Sequence, residues 1–192
     1  MIPYLPSCSY VGADLMLERL KFAFDTYKGF NFVSCKACEL PFQSDKFDLV
    51  FCRGLLHHLS SSEMPNVMQE MIRVCKNGGR VAFIEPNAIN FSNIFLAIIS
   101  RAERGIFRCS KKNFLKYLMN SENVNKVSVF YDGSSGLLSQ VTYLLRRRAF
   151  VHKPWFIRFC DGMDRFIKKV LLEKLWSELI VIICKNSPHQ EK

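Results

Sequence analysis

The sequence predicts an α/β fold built on a parallel sheet with helices on both faces, and three stretches carry that prediction. Phe47-Asp48-Leu49-Val50-Phe51-Cys52 is apolar on both faces apart from Asp48, and Val81-Ala82-Phe83-Ile84 is a second such run, ended by Glu85-Pro86. Between them Met64, Val67, Met68, Met71, Ile72 and Cys75 recur at helical spacing. Strand, helix, strand with continuous apolar strands is the pattern of a βαβ unit whose sheet is covered on both sides. Ligands of such sheets sit outside the carboxyl ends of the strands. The chemistry is therefore expected at residues 52–58 and 85–87.

The other elements follow in chain order. Met1-Ile2-Pro3-Tyr4-Leu5-Pro6 is too rich in proline for regular structure. Ser9-Tyr10-Val11-Gly12-Ala13 is a short strand with Asp14 at its carboxyl end, where the carboxylate suits a helix N-cap or a ribose partner. A helix with Leu15, Leu17, Leu20, Phe22 and Phe24 runs toward Gly29, and Phe30-Asn31-Phe32-Val33 is the next strand. Ser62 with Pro65 starts the central helix, expected to end near Lys76 in a left-handed cap at Asn77-Gly78-Gly79. Residues 91–102 read as a mostly buried helix. Ser110 caps a shorter one with Phe114, Leu115, Leu118 and Met119, and Val127, Val129 and Tyr131 alternate as a strand.

From 153 to 175 an amphipathic pattern aligns Trp155, Phe156, Phe159, Met163, Phe166, Ile167, Val170 and Leu171, with Arg158, Arg165, Lys168, Lys169 and Lys174 largely off that stripe. Such a helix suits a membrane interface or docking on a sheet with its basic side outward; docking is the favoured reading. Residues 179–184 form a last apolar strand. One domain is expected over 1–186, with 9–90 as its core, 91–186 supplying substrate-side helices and last strands, and 187–192 a polar tail.

Composition limits the function. In 192 residues, 49% hydrophobic with 17 Phe, there is enough apolar surface for one full core. The net charge of +10 is lopsided: residues 1–90 hold nine basic and nine acidic side chains, so the second half carries the whole excess. A basic half suits an anionic neighbour such as lipid headgroups, nucleic acid or a phosphorylated substrate, the alternative being a solvated basic surface with no partner. Cys35-Lys36-Ala37-Cys38 has metal or redox spacing, but no second pair completes a zinc site, and the spacing reads as incidental. With no signal peptide and no apolar run long enough to span a bilayer, a reducing, cytoplasmic setting is expected, with peripheral contact to the inner face of the membrane through the basic half.

Taken together, Val11-Gly12-Ala13-Asp14, Glu39-Leu40-Pro41-Phe42 with Phe47-Asp48-Leu49-Val50, Leu56-His57-His58-Leu59, Glu70 with Arg73-Val74, Lys76-Asn77-Gly78-Gly79-Arg80 and Glu85-Pro86-Asn87 resemble the class I S-adenosylmethionine-dependent methyltransferases, in particular those with a methyltransferase type 11 domain. The resemblance is in register over about residues 9–90. It implies a Rossmann-like, doubly wound, mostly parallel sheet with an antiparallel last strand, and S-adenosylmethionine as cofactor. It places Asp14 on the ribose, Lys36, Ala37 and Cys38 around the adenine, and Cys52, Arg53 and Gly54 on the methionine side. Methyl transfer from a sulfonium is an in-line displacement, so the protein chiefly positions the reactants and removes a proton where the acceptor requires it. His57, His58 and Glu85 are the candidate bases; the alternative for the two histidines is that they begin the next helix and pack or cap.

Two departures from the family qualify this. Lys36 stands where the family has an acidic residue, and lysine cannot accept a bond from the adenine amino group. The family's first strand, central in its sheet, and its GxGxG loop precede the segment matching residues 9–14, whereas residues 1–8 here contain no glycine. Loss of that strand would leave the strands at Val11 and Val50 without a shared neighbour. A fragment, direct closure of the two strands, or another chain in the gap would each account for it; the fragment is the favoured explanation.

The expected function is methyl transfer to a small molecule or lipid-linked saccharide. The acceptor rests on Glu85-Pro86-Asn87 with Asn90, and on Glu103-Arg104-Gly105-Ile106-Phe107-Arg108, which look similar to bacterial relatives associated with cell-envelope polysaccharides. A catalytically inactive remnant acting as a binding module is the runner-up. Nucleic-acid binding through Arg146-Arg147-Arg148 ranks below both, since no recognition motif accompanies the charge. Nothing in the sequence fixes the oligomeric state.

Overall fold

The longest strand, Cys75–Pro86, is also the one around which the core condenses. The computed structural model describes residues 9–118, 121, 123–132, 153–170 and 177–186. In chain order it comprises β1 (Val11–Asp14), α1 (Leu17–Thr26), β2 (Asn31–Ser34), β3 (Phe47–Arg53), a 3-10 turn (Leu56–His58), α2 (Glu63–Val74) and β4 (Cys75–Pro86). These are followed by α3 (Phe91–Ile99), a second 3-10 segment (Arg101–Arg108), α4 (Lys111–Leu118), β5 (Val124–Asp132), α5 (Pro154–Val170) and β6 (Glu178–Lys185). The expectations at residues 1–8, at Met119, over Arg146-Arg147-Arg148, at Leu171 and Lys174 and over the tail at 187–192 lie outside the described residues.

The main sheet has the order β3-β4-β6-β5. β3 and β4 are parallel, joined by α2 as the apolar pattern requires, and β6 runs antiparallel to both its neighbours. β1 and β2 form a separate parallel pair. Among the described residues no ladder joins β1 to β3, so each strand has one hydrogen-bonded neighbour and one open edge.

The core lies on one side of the main sheet. Met64, Val67, Met68, Met71 and Ile72 of α2 pack with Val81 and Phe83 of β4, Leu179, Val181 and Ile183 of β6, and Phe114 and Leu118 of α4. Lys185, at the end of β6, reaches under this core: its Nζ donates to Asp45 Oδ1 at 2.9 Å and to the Cys75 carbonyl at 2.8 Å. The partner set compensates the desolvation of its charge.

Several expectations need correction. β3 is not covered on both faces: Val50 and Cys52 pack against the core, but Leu49 and Phe51 are 51% and 40% exposed. Helix α2 ends at Val74, because Cys75 already pairs with Phe47 as the first residue of β4. The register then jumps from Phe47↔Cys75 to Leu49↔Arg80, so the glycine pair is looped out of the strand rather than capping the helix. Gly78 there has φ +77, which other residues rarely adopt.

The start of α2 is also capped differently. Ser62 occupies the N-cap position without capping through its side chain. The Glu63 N–H instead donates to Ser60 Oγ at 3.2 Å and the Ser60 N–H to Glu63 Oε2 at 2.9 Å, a reciprocal capping box. The Ser110 expectation holds, its Oγ accepting from the Asn113 N–H at 3.3 Å.

Helix α3 inverts its expected burial. Ser92, Asn93 and Ala97 face inward, while Phe91, Phe95, Ile98 and Ile99 are exposed, Phe91 to 72%. Hydrogen bonds fix this orientation: the Asn93 side chain donates to the carbonyls of Asn87 at 3.0 Å and Ser177 at 2.7 Å, and Asn90 Oδ1 accepts from the Asn93 N–H at 3.1 Å. Along α5, the described aromatic side chains of Trp155, Phe159 and Phe166 are exposed, as are Arg158, Arg165 and Lys169. These aromatics are not docked on a sheet.

Candidate functional site

The carboxyl ends of β1, β2, β3 and β4 define where the predicted site residues stand. Asp14 ends β1. Its Oδ1 accepts from the Met16 N–H at 2.8 Å, a turn closed two residues on, whereas α1 starts only at Leu17, so Asp14 is not its N-cap. Its Oδ2 lies 3.8 Å from Arg19 and the carboxylate is partly exposed, so it keeps acceptor capacity.

The turn after β2 carries Lys36, Ala37 and Cys38. The Glu39 N–H donates to the Lys36 carbonyl at 3.1 Å, Lys36 and Cys38 face solvent, and Ala37 packs inward against the core. The Leu40 N–H donates to Glu70 Oε1 at 2.8 Å, and Arg73 holds the same carboxylate through Nε at 2.7 Å while reaching the Leu40 carbonyl at 3.2 Å. Helix α2 thereby fixes the loop that the resemblance places around an adenine. The Arg73 guanidinium holds the Glu70 carboxyl below its ordinary range. Asp14 and the thiol of Cys35 are close enough for the carboxylate to push that thiol up, after desolvation, the larger cause.

At the end of β3 the chain turns sharply. Gly54 has φ +63 and its N–H donates to the Ile84 carbonyl at 2.9 Å. Arg53, exposed, pairs with Glu178 of β6. Cys52 packs behind the turn, where desolvation, followed by the Glu85 and Cys109 charges, pushes its thiol well above the ordinary value. A cleft of about 180 Å³ opens here, lined by Arg53, Gly54, Glu85, Asn93, Ser177 and Glu178 among others. Sites for drug-sized ligands start at about 300 Å³, so this cleft accommodates part of such a molecule.

Glu85, His57 and His58 come together beside it. Glu85 is buried, and its Oε1 accepts from the N–H groups of Leu55 at 2.9 Å and Leu56 at 2.8 Å. Its Oε2 faces His57 Nδ1 at 2.7 Å and the His57 N–H at 3.3 Å. The start of the 3-10 turn thus closes on one carboxylate, which stabilises the negative charge and fixes the imidazole. His57 is 5% exposed; His58 is exposed, with its ring 3.9 Å from that of His57. The Glu85 oxygens are engaged by the backbone, which makes it a positioning group for the loop.

The second 3-10 segment supplies residues to which the sequence assigned no role at the site. Glu103 Oε2 lies 3.3 Å from His57 Nε2 on the side of the ring opposite Glu85. Gly105 is buried against the backbone of the first turn: a Cβ there would fall 1.5 Å from the His57 carbonyl oxygen. Arg108 donates to the carbonyls of His57 and Leu59. The spacing Glu103-x-Gly105-x-x-Arg108 was visible, but nothing local says that it packs on residues some fifty positions earlier.

A methyltransferase domain model matches residues 2–83. Over those residues the chain is similar to that family. The matched segment reaches from the strand ending in Asp14, through the loop of Lys36–Cys38 and the β3 turn, into β4. The chain is 31% identical over 86 residues to the uncharacterized methyltransferase YcgJ of Bacillus subtilis, an alignment covering 43% of this chain and 33% of that protein. A tRNA (carboxymethyluridine(34)-5-O)-methyltransferase of Arabidopsis thaliana is 32% identical over 77 residues, 40% of this chain and 19% of the relative. The alignments thus span a third of the bacterial relative and a fifth of the plant one. Among solved structures, a SAM-dependent methyltransferase from Archaeoglobus fulgidus superposes with a TM-score of 0.61 at 15% identity, covering 92% of this chain and 75% of that one. At that identity the likeness speaks for the fold, and the methyltransferase fold is therefore α/β and Rossmann-like, with an antiparallel strand in a mixed sheet. The matched residues 2–83 include Asp14, Lys36–Cys38 and Cys52–Gly54.

Proposed function

We propose that the protein transfers a methyl group from S-adenosylmethionine to a small-molecule or lipid-linked saccharide acceptor. The observation that carries this reading is the methyltransferase match over residues 2–83, which includes the acid-tipped β1 and the turn after β3. The chemistry of the donor set fits the cofactor: a carboxylate with acceptor capacity at Asp14, an exposed residue at Cys38, and a tight turn at Gly54. Asp14 would accept from the ribose hydroxyls, the Lys36–Cys38 turn would border the adenine, and Arg53 and Gly54 would border the methionine end.

When bound, the cofactor supplies an electrophilic methyl on its sulfonium. The chain's part is to hold the acceptor in line and exclude water. Where the acceptor must lose a proton, His58 offers an exposed imidazole beside the cleft, and His57, held by Glu85, sets its place. A lipid-linked acceptor is supported by the exposed Phe91, Phe95, Ile98 and Ile99 of α3, the exposed Trp155, Phe159 and Phe166 of α5, and the basic residues Arg158, Arg165 and Lys169, which suit an anionic membrane surface. No helix among the described residues is long and apolar enough to cross a membrane.

Calorimetric titration with S-adenosylmethionine tests the first part. Micromolar binding, weakened by Asp14→Ala, is expected, and absence of binding at millimolar cofactor overturns the reading. Sedimentation with vesicles tests the second: binding to anionic but not neutral vesicles is expected, and equal recovery in both supernatants removes the membrane contact.

A further inference from the structure

We propose that His57, His58 and Glu103 form a binding site for a divalent transition-metal ion of the zinc type, with Glu85 as its outer carboxylate. One ligand atom from each of the three lies within 4.8 Å of the other two, and the site is empty here. The His57 Nε2 to Glu103 Oε2 separation is 3.3 Å. Two donors bound about 2.0–2.1 Å from one zinc ion at a tetrahedral angle stand roughly 3.3 Å apart. The pair is already at coordination distance, and the exposed His58, next in sequence, places a ring nitrogen within the same 4.8 Å set.

The surroundings of His57 argue for a cation over a simple hydrogen-bonded ring. Its Nδ1 faces the Glu85 carboxylate at 2.7 Å and its Nε2 faces Glu103. With the proton on Nδ1, shared with Glu85, the Nε2 lone pair points at a second acceptor, and two acceptors at that distance repel. A cation between Nε2 and the Glu103 oxygen removes the conflict and compensates the two carboxylates. A metal-bound histidine that gives its other N–H to a carboxylate is the usual arrangement around zinc, because the outer group fixes the tautomer. Glu85 is built for that part, since three backbone N–H groups hold it in place.

Two histidines and one carboxylate leave a coordination position open. The exposed side of His58 makes that position reachable from solvent. In the metal-bound form His58 is a ligand instead of a base, so occupancy of this site and proton removal by His58 exclude each other. The site does not depend on the cofactor and is tested on the whole chain alone.

Metal-stripped protein carrying Cys38→Ser, which disables the nearby CxxC spacing, is titrated with zinc chloride by calorimetry and with cobalt chloride by absorption. The expected result is one ion per chain at micromolar or tighter affinity, with a cobalt spectrum lacking thiolate charge transfer. Glu103→Gln and His58→Ala, both at positions accessible to solvent, should each weaken binding by more than tenfold with unchanged circular dichroism. Glu85→Gln should weaken it by roughly 10–100-fold. Binding that is unchanged in Glu103→Gln, a cobalt spectrum dominated by thiolate, or no binding at 100-micromolar zinc overturns the proposal.

Discussion

Glu85 Oε2 and His57 Nδ1 lie 2.7 Å apart, while the same carboxylate accepts from the backbone N–H groups of Leu55, Leu56 and His57. One carboxylate at the end of β4 therefore holds the loop after β3 in its folded shape. Glu85→Gln puts an amide N–H where an acceptor is needed and leaves part of this set unpaired. A loss of about 3 kcal/mol is expected, read as a lower urea midpoint with unchanged slope.

Gly105 approaches the His57 carbonyl so closely that a methyl group would sit 1.5 Å from its oxygen. Gly105→Ala must push the second 3-10 segment off the first turn. It should cost about 3 kcal/mol in thermal or urea unfolding. Gly162→Ala, where a Cβ meets nothing within 4 Å, is the control and should be neutral or slightly stabilising, since it sits inside α5.

The pairing of Glu70 with Arg73 and the Leu40 amide gives stability an acid dependence. The carboxyl is held below its ordinary value of 4.5 in the folded chain. Its contribution is complete above that value and is lost as pH falls through the lower folded value. Unfolding midpoints measured from neutral to acid pH should fall below about pH 4.5, and Glu70→Gln should be less stable at neutral pH with a shallower acid decline. An equally steep decline in the variant would remove Glu70 from the account.

Thiol reactivity should divide the cysteines. Cys38 is exposed, whereas desolvation pushes up the thiols of Cys52, Cys75 and Cys109 and leaves them with little thiolate at neutral pH. Alkylation followed by peptide mass mapping should mark Cys38 early and these three only in denaturant. Early labelling of Cys52 would mean that the β3 turn opens in solution.

Asp14→Ala should leave the fold intact, because α1 does not use Asp14 as its cap and no buried group loses a partner. If the proposed ribose contact holds, affinity for S-adenosylmethionine drops at least tenfold, the worth of about 1.4 kcal/mol. Asp14→Asn, which keeps an acceptor oxygen, should retain more of it.

By itself the sequence determined the β3-α2-β4 unit and the apolar core around it, because those depend on local periodicity, while the antiparallel β6 was expected only from the family resemblance. It also singled out Asp14, His57, His58 and Glu85 from their places after strands. The tertiary structure decided what local pattern leaves open. Cys75 joined β4 and cut α2 short because a partner strand was in reach. Helix α3 turned its Phe and Ile side chains outward because Asn93 found buried carbonyls. Glu103, Gly105 and Arg108 met His57 only through the return of the chain across the end of the sheet. Periodicity reports which side of an element is apolar; only packing decides what that side meets, and at this site the partners are separated by dozens of residues.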